Sequence, residues 1–202
     1  MVKLHILGGP GSGKTTLAQD VSSRFHIPHY DLDKVNWELE NAIATAKQPA
    51  WITEGIYLIW TEPLLYRADY IVLLEVSWPV AAWRIVYRHI SNSLRGTNPY
   101  PGINGVKALF KLLLYTRRYY LNQDAADRPS VESLERYLET SREIALPPTE
   151  EFFKRYLETS REIAIPPTEK FVRMYLAKYK EKVFLVKNTT DRKQLFELLV
   201  NR

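Results

Sequence analysis

The sequence predicts an α/β fold built on a parallel sheet, and three observations support this prediction. An apolar run at 2–7 leads into a glycine-rich loop at 8–15, and an amphipathic helix follows at 16–25. The segment 68–76 is a continuous apolar run of the kind found in central parallel strands. Shorter apolar runs alternate with helical segments, which is typical of a parallel α/β sheet.

Residues 8–15 match the phosphate-binding pattern G-x-x-x-x-G-K-[ST] without a mismatch. In such a loop, backbone N–H groups at the start of a helix converge on the β-phosphate of a nucleotide. Lys14 is predicted to lie between the β- and γ-phosphates, and the Thr15 hydroxyl to ligate Mg²⁺. Because the loop stands between a strand and a helix, phosphate binding is favoured over a glycine-rich turn without a ligand. The predicted nucleotide contacts are Gly8, Gly9, Pro10, Gly11, Ser12, Gly13, Lys14, Thr15 and Thr16.

Two acids end the next short apolar run, at 27–33, with the spacing i, i+2 that puts both carboxylates on one side of a strand. Ligands of open parallel sheets lie beyond the carboxyl ends of the strands. One acid can help to hold Mg²⁺ through water, and the other can accept a proton from an acceptor hydroxyl. Of Asp31 and Asp33, we predict that Asp33 serves the acceptor, since it lies further along. The alternative is that one of them caps a helix at 35–39.

A further buried strand is predicted at 51–57, and it contains an acid followed by a glycine. Beside a phosphate-binding loop, Glu54 is placed to bind a water molecule on Mg²⁺. The alternative is a strand-end acid that faces solvent. Gly55 is expected to allow the close approach of a ligand.

A helix is predicted to open at Pro79, after the strand at 68–76. Arg84 and Arg88 are four residues apart and share a face of this helix. Two guanidinium groups directed at one place suit a triphosphate or a developing phosphoryl charge. We predict that Arg88 acts on the transferring phosphoryl group, the alternative being a pair of solvated arginines.

After a loop at 95–105, a second amphipathic helix is predicted, and it ends in basic residues interleaved with tyrosines at 115–120. Such a stretch can clamp phosphates, stack on bases or lie on an anionic membrane. Arg117 and Arg118 are candidate phosphate ligands. Because the helix has an apolar stripe, we favour a lid helix packed on the domain.

Residues 129–185 contain a tandem repeat of nineteen residues. Residues 136–154 match 155–173 at fifteen of nineteen positions, and a fainter third copy follows. Each unit begins with Pro-Ser or Pro-Thr, so we predict a helix of about four turns per unit with the hydroxyl as a cap. The predicted organisation is a core at 1–90 and 182–202 with a helical lid or insertion at 91–181. The repeat is interpreted as structural, with partner binding as the alternative.

Composition limits the other classes of function. The chain has a net charge of +5, and residues 84–128 alone carry eight basic residues against two acids. A phosphate-handling lid, a nucleic-acid patch and a solvated face all predict such a bias. The lack of cysteine excludes disulfides and thiolate metal sites. We expect no membrane span and no signal peptide, and the nucleotide site predicts a cytoplasmic location.

With these segments placed, the chain resembles the adenylate-kinase-like group of P-loop kinases, and within it the bacterial topology modulation proteins, or FlaR-related P-loop kinases. The resemblance covers roughly residues 1–120 and the last strand and helix, and the repeat departs from it. It implies a three-layer P-loop NTPase fold with a five-stranded parallel sheet of order 2-3-1-4-5, and ATP and Mg²⁺ as cofactors. The residues that carry the resemblance are 8–15, Leu32, Asp33, Trp37, 51–55, Tyr57, Trp83, Arg84 and Arg88.

Together these patterns predict an ATP-dependent kinase that acts on a nucleotide or another small molecule, with Lys14, Asp33 and Arg88 as catalytic residues. The alternative is a nucleotide-switched P-loop ATPase whose basic stretch and repeat bind nucleic acid or a protein partner. Binding to the phosphate backbone would weaken steeply as salt rises, which separates the two.

Overall fold

Five strands form one parallel sheet in the computed structural model, which describes residues 1–33, 39–98, 102–123 and 168–201. Their order across the sheet is 2-3-1-4-5, and every neighbouring pair is parallel. The predicted sheet and its order are therefore confirmed. The strands are β1 (Lys3–Gly8), β2 (His29–Asp31), β3 (Trp51–Gly55), β4 (Tyr70–Leu74) and β5 (Val183–Val186).

Helices separate these strands in the described parts of the chain. Short 3-10 turns occur at Ile59–Thr61 and Ala177–Tyr179. Among the residues that the structure describes, no helix combines the length and the apolar composition needed to span a membrane. The predicted helix at 35–39 lies largely outside the described residues. The helices are α1 (Lys14–Phe25), α2 (Leu39–Lys47), α3 (Glu62–Arg67), α4 (Trp78–Leu94), α5 (Ile103–Tyr120), α6 (Glu169–Leu176) and α7 (Thr189–Val200).

Hydrophobic side chains pack on both faces of the sheet, and β1 contributes side chains to both. Leu4 and Ile6 belong to a cluster that includes α1 and α7, whereas Leu7 belongs to a second cluster with α2, α3 and α6. Side chains of successive strand residues point to opposite faces, so one strand supplies both clusters. Burial of each of these side chains contributes about 1.5–3 kcal/mol. The result is a sheet between two helical layers.

The third unit of the repeat packs into the core through α6. The Thr168 hydroxyl accepts a hydrogen bond from the Phe171 amide at 3.2 Å, so the predicted cap is confirmed for this unit. Phe171, Tyr175 and Leu176 are buried in the same cluster as β4 residues. The helix is shorter than the four turns predicted for a unit, because the chain turns at Ala177–Tyr179 before it enters β5. The first two units lie outside the described residues.

The register of the strands brings the carboxyl ends of three strands to one edge. Glu54 of β3 pairs with Asp31 of β2 and with Ile6 of β1. Gly8, the last residue of β1, pairs with Leu74 of β4. Because ligands of open parallel sheets bind beyond this edge, the glycine-rich loop and the strand-end acids share the expected ligand position.

Candidate phosphate and metal site

The glycine-rich loop joins β1 to α1 and takes a conformation that needs glycine. Gly11 and Gly13 have φ angles of +77° and +99°, in the left-handed region that glycine adopts without strain. The Ser12 amide donates a hydrogen bond to the Gly9 carbonyl at 3.2 Å, which closes the turn. The loop therefore ends at the N-terminus of a twelve-residue helix, where backbone N–H groups favour an anion.

Two tyrosines at the end of α5 contact the backbone of this loop. A Cβ placed on Gly9 would lie 2.4 Å from Cε1 of Tyr119, so no larger residue fits there. The Tyr120 hydroxyl donates a hydrogen bond to the Pro10 carbonyl at 3.2 Å. A Cβ on Gly11 would lie 2.7 Å from the Ala81 carbonyl of α4. Two helices from the predicted core and insertion thus fix the shape of the loop.

Lys14 opens α1 and lies under the loop with only 9% of its surface exposed. Its Nζ atom donates to the Gly9 carbonyl at 3.4 Å, which is a long contact for a charged donor. Burial lowers the pKa of this ammonium, while the carboxylates of Glu54, Asp33 and Asp31 raise it. A bound polyphosphate would add negative charge beside this buried cation and so stabilise it further.

Thr15 and Glu54 form a hydrogen-bonded pair beside Lys14. The Thr15 hydroxyl donates to Oε1 of Glu54 at 2.6 Å. The other carboxylate oxygen, Oε2, is buried without a hydrogen-bond partner among the described residues. Burial raises the pKa of Glu54, and the hydrogen bond from Thr15 and the charge of Lys14 lower it. A buried carboxylate oxygen without a partner is costly unless a ligand or water satisfies it.

Three carboxylates meet at this edge of the sheet. One oxygen atom from each of Asp31, Asp33 and Glu54 lies within 4.8 Å of the other two. The Asp33 amide donates to Oδ1 of Asp31 at 3.0 Å, so Asp31 orders the turn that carries Asp33. Carboxylate and hydroxyl oxygens are the ligands that Mg²⁺ prefers in proteins. With Thr15 and the unpartnered Glu54 oxygen, this donor set fits a hard divalent cation.

Both predicted arginines of α4 face the loop. Arg84 donates through Nη1 to the carbonyls of Gly11 at 3.3 Å and Ser12 at 2.9 Å. Arg88, one turn further along, lines the same cavity. Their four-residue spacing puts both on one face of α4, and the role of Arg88 stays a prediction. Arg84 holds the backbone of the loop, which the sequence pattern did not indicate.

A cavity of about 580 Å³ lies over the loop. Asp33, Tyr57, Arg88 and Tyr115 are among the residues that line it. Burial, together with the charge of Asp33, raises the pKa of Tyr57 to about 12. Its phenol therefore stays protonated at neutral pH. The other lining residues are Pro10, Gly11, Gly13, Lys14, Thr15, Thr16, Ile56, Arg84, Ile85 and Leu112.

Three residues that the sequence suggested as substrate ligands do not line this cavity, and some residues that do line it were not predicted. A Cβ on Gly55 would lie 3.1 Å from the Tyr57 ring, so this glycine makes room for a protein side chain. Arg117 and Arg118 are exposed in the last turn of α5 and do not line the cavity. Tyr115 was not predicted in the cavity, although it precedes the basic pair. Its position depends on how α5 packs, which the sequence pattern does not specify.

The loop between β1 and α1, followed by the sheet order 2-3-1-4-5, defines a P-loop NTPase fold. No protein-family profile and no curated protein sequence matches the chain. Solved structures with similar folds include a gluconokinase from Sinorhizobium meliloti, 13% identical, covering 61% of this chain and 98% of that chain, with a TM-score of 0.35. A shikimate kinase from Bacteroides thetaiotaomicron is 18% identical, with coverages of 71% and 99% and a TM-score of 0.30. At these identities and scores the likenesses assign no activity.

Proposed function

We propose that this chain is an ATP-dependent kinase that transfers a phosphoryl group to a hydroxyl of a nucleotide or another small molecule. One observation carries the proposal. A single cavity of about 580 Å³ contains an anion-binding loop, the buried cation Lys14, the arginine Arg88 and the strand-end acid Asp33. These are the groups that phosphoryl transfer needs, since its catalysis rests on positioning and charge stabilisation.

The loop and the acids behind it account for the binding of Mg·ATP. The loop amides and Lys14 would hold the phosphates at the N-terminus of α1. Thr15, Glu54 and Asp31 would hold Mg²⁺, directly or through water. When bound, Mg²⁺ neutralises charge on the phosphate oxygens and fixes their position. Because Oε2 of Glu54 has no other described partner, this carboxylate is poised for such a ligand.

Asp33 is the residue that we assign to the acceptor. It is exposed and lines the cavity, and the turn that carries it is ordered by Asp31. As the acceptor oxygen bonds to the γ-phosphorus and the bond to ADP breaks, the hydroxyl proton passes to the Asp33 carboxylate. Arg88, which lines the same cavity, would stabilise the charge on the transferring group.

The walls of the cavity favour transfer over hydrolysis. Ile56 and Leu112 are apolar, and Tyr57 and Tyr115 present aromatic faces. A bound acceptor would displace water from these surfaces, so that its hydroxyl reacts in place of a water molecule. Since ATP is supplied in the cytoplasm, the proposal also places the protein there.

The proposal is tested by incubating the chain with ATP, Mg²⁺ and a panel of nucleosides, nucleoside monophosphates and small hydroxy compounds, with product detection by mass spectrometry. Lys14→Ala is expected to abolish ATP binding, whereas Lys193→Ala, an exposed lysine of α7, leaves it unchanged. Asp33→Asn should retain ATP binding but lower transfer by about 100-fold or more. Asp20→Asn, a distant exposed acid, is the matched control. If Asp33→Asn transferred the phosphoryl group at the wild-type rate, Asp33 would not be the residue that accepts the proton.

A second candidate function is supported by charge alone. Residues 78–121 contain seven basic residues and no acid, a bias that suits nucleic acid as well as a phosphate-handling lid. A nucleotide-switched ATPase of the topology-modulation type would bind nucleic acid with an affinity that falls steeply with salt. Absence of binding at low salt would reject this candidate.

A further inference from the structure

A second cavity, of about 440 Å³, lies where α4 and α5 face each other. α4 lines it with Ile85, Arg88, His89 and Asn92, whose spacing i, i+3, i+4, i+7 puts them on one face of the helix. Three of these four side chains are polar, although this face is turned towards another helix. Cavities that bind small molecules have volumes of about 300–1,000 Å³ and apolar walls with a few polar groups. The volume and the mixed wall therefore both suit a small-molecule site.

The wall on α5 explains why the two helices leave this space open. It has the same spacing, with Gly105, Ala108, Leu109 and Leu112. Gly105 has no side chain and Ala108 has one methyl group, so neither position fills the interface as a large apolar residue would. Protein interiors are normally packed without voids of this size. The open volume therefore follows from the small residues that α5 presents to α4.

This cavity adjoins the one over the glycine-rich loop. Ile85, Arg88 and Leu112 line both of them. Arg88, which we assign above to the transferring phosphoryl group, therefore lies at the junction of the two. A compound held between α4 and α5 would present one end to the place where the γ-phosphate of ATP is expected.

The loop after α4 fixes two of the polar groups of the cavity. The Thr97 amide and hydroxyl both donate to the Asn92 carbonyl, at 2.9 and 3.4 Å, and so turn the chain back over the helix. The Asn98 side chain donates through Nδ2 to the Ser93 hydroxyl at 2.8 Å and to Nδ1 of His89 at 3.4 Å. Because an amide nitrogen can only donate, Nδ1 of the neutral His89 ring is the acceptor and Nε2 carries the proton. The orientation of Asn98 and the tautomer of His89 are thus set before a ligand binds.

Charge restricts what this cavity can bind. Among the described lining residues, Arg88 carries the one permanent charge, and none has a carboxylate. In the proposed function that guanidinium serves the transferring group, so no second cation remains for a phosphate carried by the acceptor. A charged group in a largely apolar cavity without a partner is costly. The acceptor that fits is therefore uncharged.

The other groups of the cavity suit a flat heterocycle. Ile85, Leu109 and Leu112 offer apolar surface for the faces of such a ring. Asn92 and Asn98 carry amides, in which a donor and an acceptor lie side by side, and asparagine binds base edges through this pattern. A polyol would instead leave several hydroxyl groups without partners against the apolar side chains. A nucleoside meets both demands, and its ribose has hydroxyl groups that can accept a phosphoryl group.

We propose that the cavity between α4 and α5 binds the acceptor, and that this acceptor is a nucleoside without a phosphate group; the inference rests on the proposed kinase function. The base lies between the two helices, beside Asn92 and Asn98, and a ribose hydroxyl group extends past Arg88 towards Asp33. The oxygen of this hydroxyl group bonds to the γ-phosphorus, the bond from the γ-phosphorus to ADP breaks, and the proton passes to the Asp33 carboxylate. The products are ADP and a nucleoside monophosphate.

Ala108→Phe tests this proposal, because Ala108 lines the cavity between the helices and not the one over the loop. Transfer from Mg·ATP is measured by mass spectrometry with adenosine, guanosine, cytidine and uridine, and with their 5′-monophosphates. We expect transfer to a nucleoside, with kcat/KM lower by about tenfold or more in Ala108→Phe and the affinity for ATP unchanged, since the phenyl ring occupies the place of the base. Ala44→Phe, the same change at an exposed position of α2, is the matched control and should leave transfer unchanged.

Asn92→Leu is a second variant, which removes an amide and keeps the size of the side chain. It should raise KM for the nucleoside by about three- to tenfold, the scale of one neutral hydrogen bond, with kcat and ATP affinity unchanged. Asn41→Leu, at an exposed position of α2, is its control. Transfer that neither Ala108→Phe nor Asn92→Leu lowers, or transfer to a monophosphate in preference to its nucleoside, would overturn this inference and leave the kinase function standing.

Binding without ATP separates a failure of this inference from a failure of the kinase function. Calorimetry with the same four nucleosides, in the absence of ATP and Mg²⁺, measures occupation of the cavity alone. If no acceptor is phosphorylated, the kinase function fails, and nucleoside binding that Ala108→Phe abolishes and Ala44→Phe retains would still support a nucleoside site between α4 and α5. If none of the four nucleosides binds and none is phosphorylated, the assignment of this cavity is wrong.

Discussion

Two buried glutamates differ in what surrounds them. Glu54, at the end of β3, has one oxygen bonded to Thr15 and one without a described partner. Glu62, at the start of α3, accepts hydrogen bonds from Tyr175 on one oxygen and Tyr179 on the other, and pairs with Lys178 at 2.6 Å.

The difference lies in how far the protein itself satisfies each carboxylate. Both carboxylates are removed from water, which is costly for an ionised group. At Glu62 the protein satisfies the charge completely. At Glu54 the carboxylates of Asp31 and Asp33 add negative charge, which the charge of Lys14 opposes, and one oxygen keeps no described hydrogen-bond partner.

Glu62→Ala should give the largest effect on stability. Its loss leaves the Lys178 ammonium, largely buried, without its carboxylate, and breaking a buried pair costs about 3–5 kcal/mol. Urea denaturation of the variant measures this change. ATP binding should be unaffected once the variant is folded, and a loss of ATP affinity would contradict the structural role of Glu62.

His5, in the middle of β1, is another buried titratable residue, and its effect on stability should depend on pH. Burial lowers its pKa from 6.5 to about 3, so the folded chain holds the neutral ring. The unfolded chain binds the proton more readily, so stability is lost as pH falls below 6.5. By about pH 4 this group alone should cost about 3 kcal/mol.

The check compares urea unfolding of the wild type and His5→Asn from neutral pH to about pH 4. The difference between the two free energies should shrink or reverse as pH falls. Parallel pH profiles would show that His5 does not titrate in this way.

Glu54→Gln should have a smaller effect on stability and a specific effect on metal binding. The amide retains a hydrogen-bond acceptor for Thr15 but removes the charge that favours Mg²⁺. We expect the affinity for Mg·ATP to fall by about 10–100-fold, the range seen when a residue that supports a metal ligand is replaced. Calorimetry with and without Mg²⁺ makes the measurement. An equal loss of affinity for metal-free ATP would argue against a metal role.

Thr168→Ala should give the smallest effect. It removes the cap of α6, which is worth about 1 kcal/mol. Thermal unfolding should show a modest decrease in the midpoint. Thr168→Ser retains the hydroxyl, so its unfolding midpoint should match that of the wild type. A lower midpoint in both variants would show that packing of the threonine methyl group matters instead.

The sequence predicts the local parts of this molecule well. The loop at 8–15 and its flanking strand and helix follow from residues next to one another, and the sheet order follows from the resemblance. The positions of Asp33, Glu54 and Arg88 near the loop could be predicted because strand ends and helix spacing have fixed geometry, while their roles stay predictions.

Other features depend on contacts between distant residues. Tyr120 reaches the Pro10 carbonyl across 110 residues, and Arg84 binds the loop across 72. Gly55 was interpreted as room for a ligand, but the side chain of Tyr57 fills that space. Such contacts depend on side-chain packing, which periodicity and spacing do not encode.

The hydrogen bond between Asn122 and Lys170 has a consequence for how this protein changes over generations. It fixes the exit and re-entry points of the intervening chain to each other, so whole nineteen-residue units can be gained or lost by duplication without moving either anchor. The glycine-rich loop would then keep its structure whatever the length of the segment between the two anchors. Gene copies that differ in the number of units should therefore encode the same glycine-rich loop.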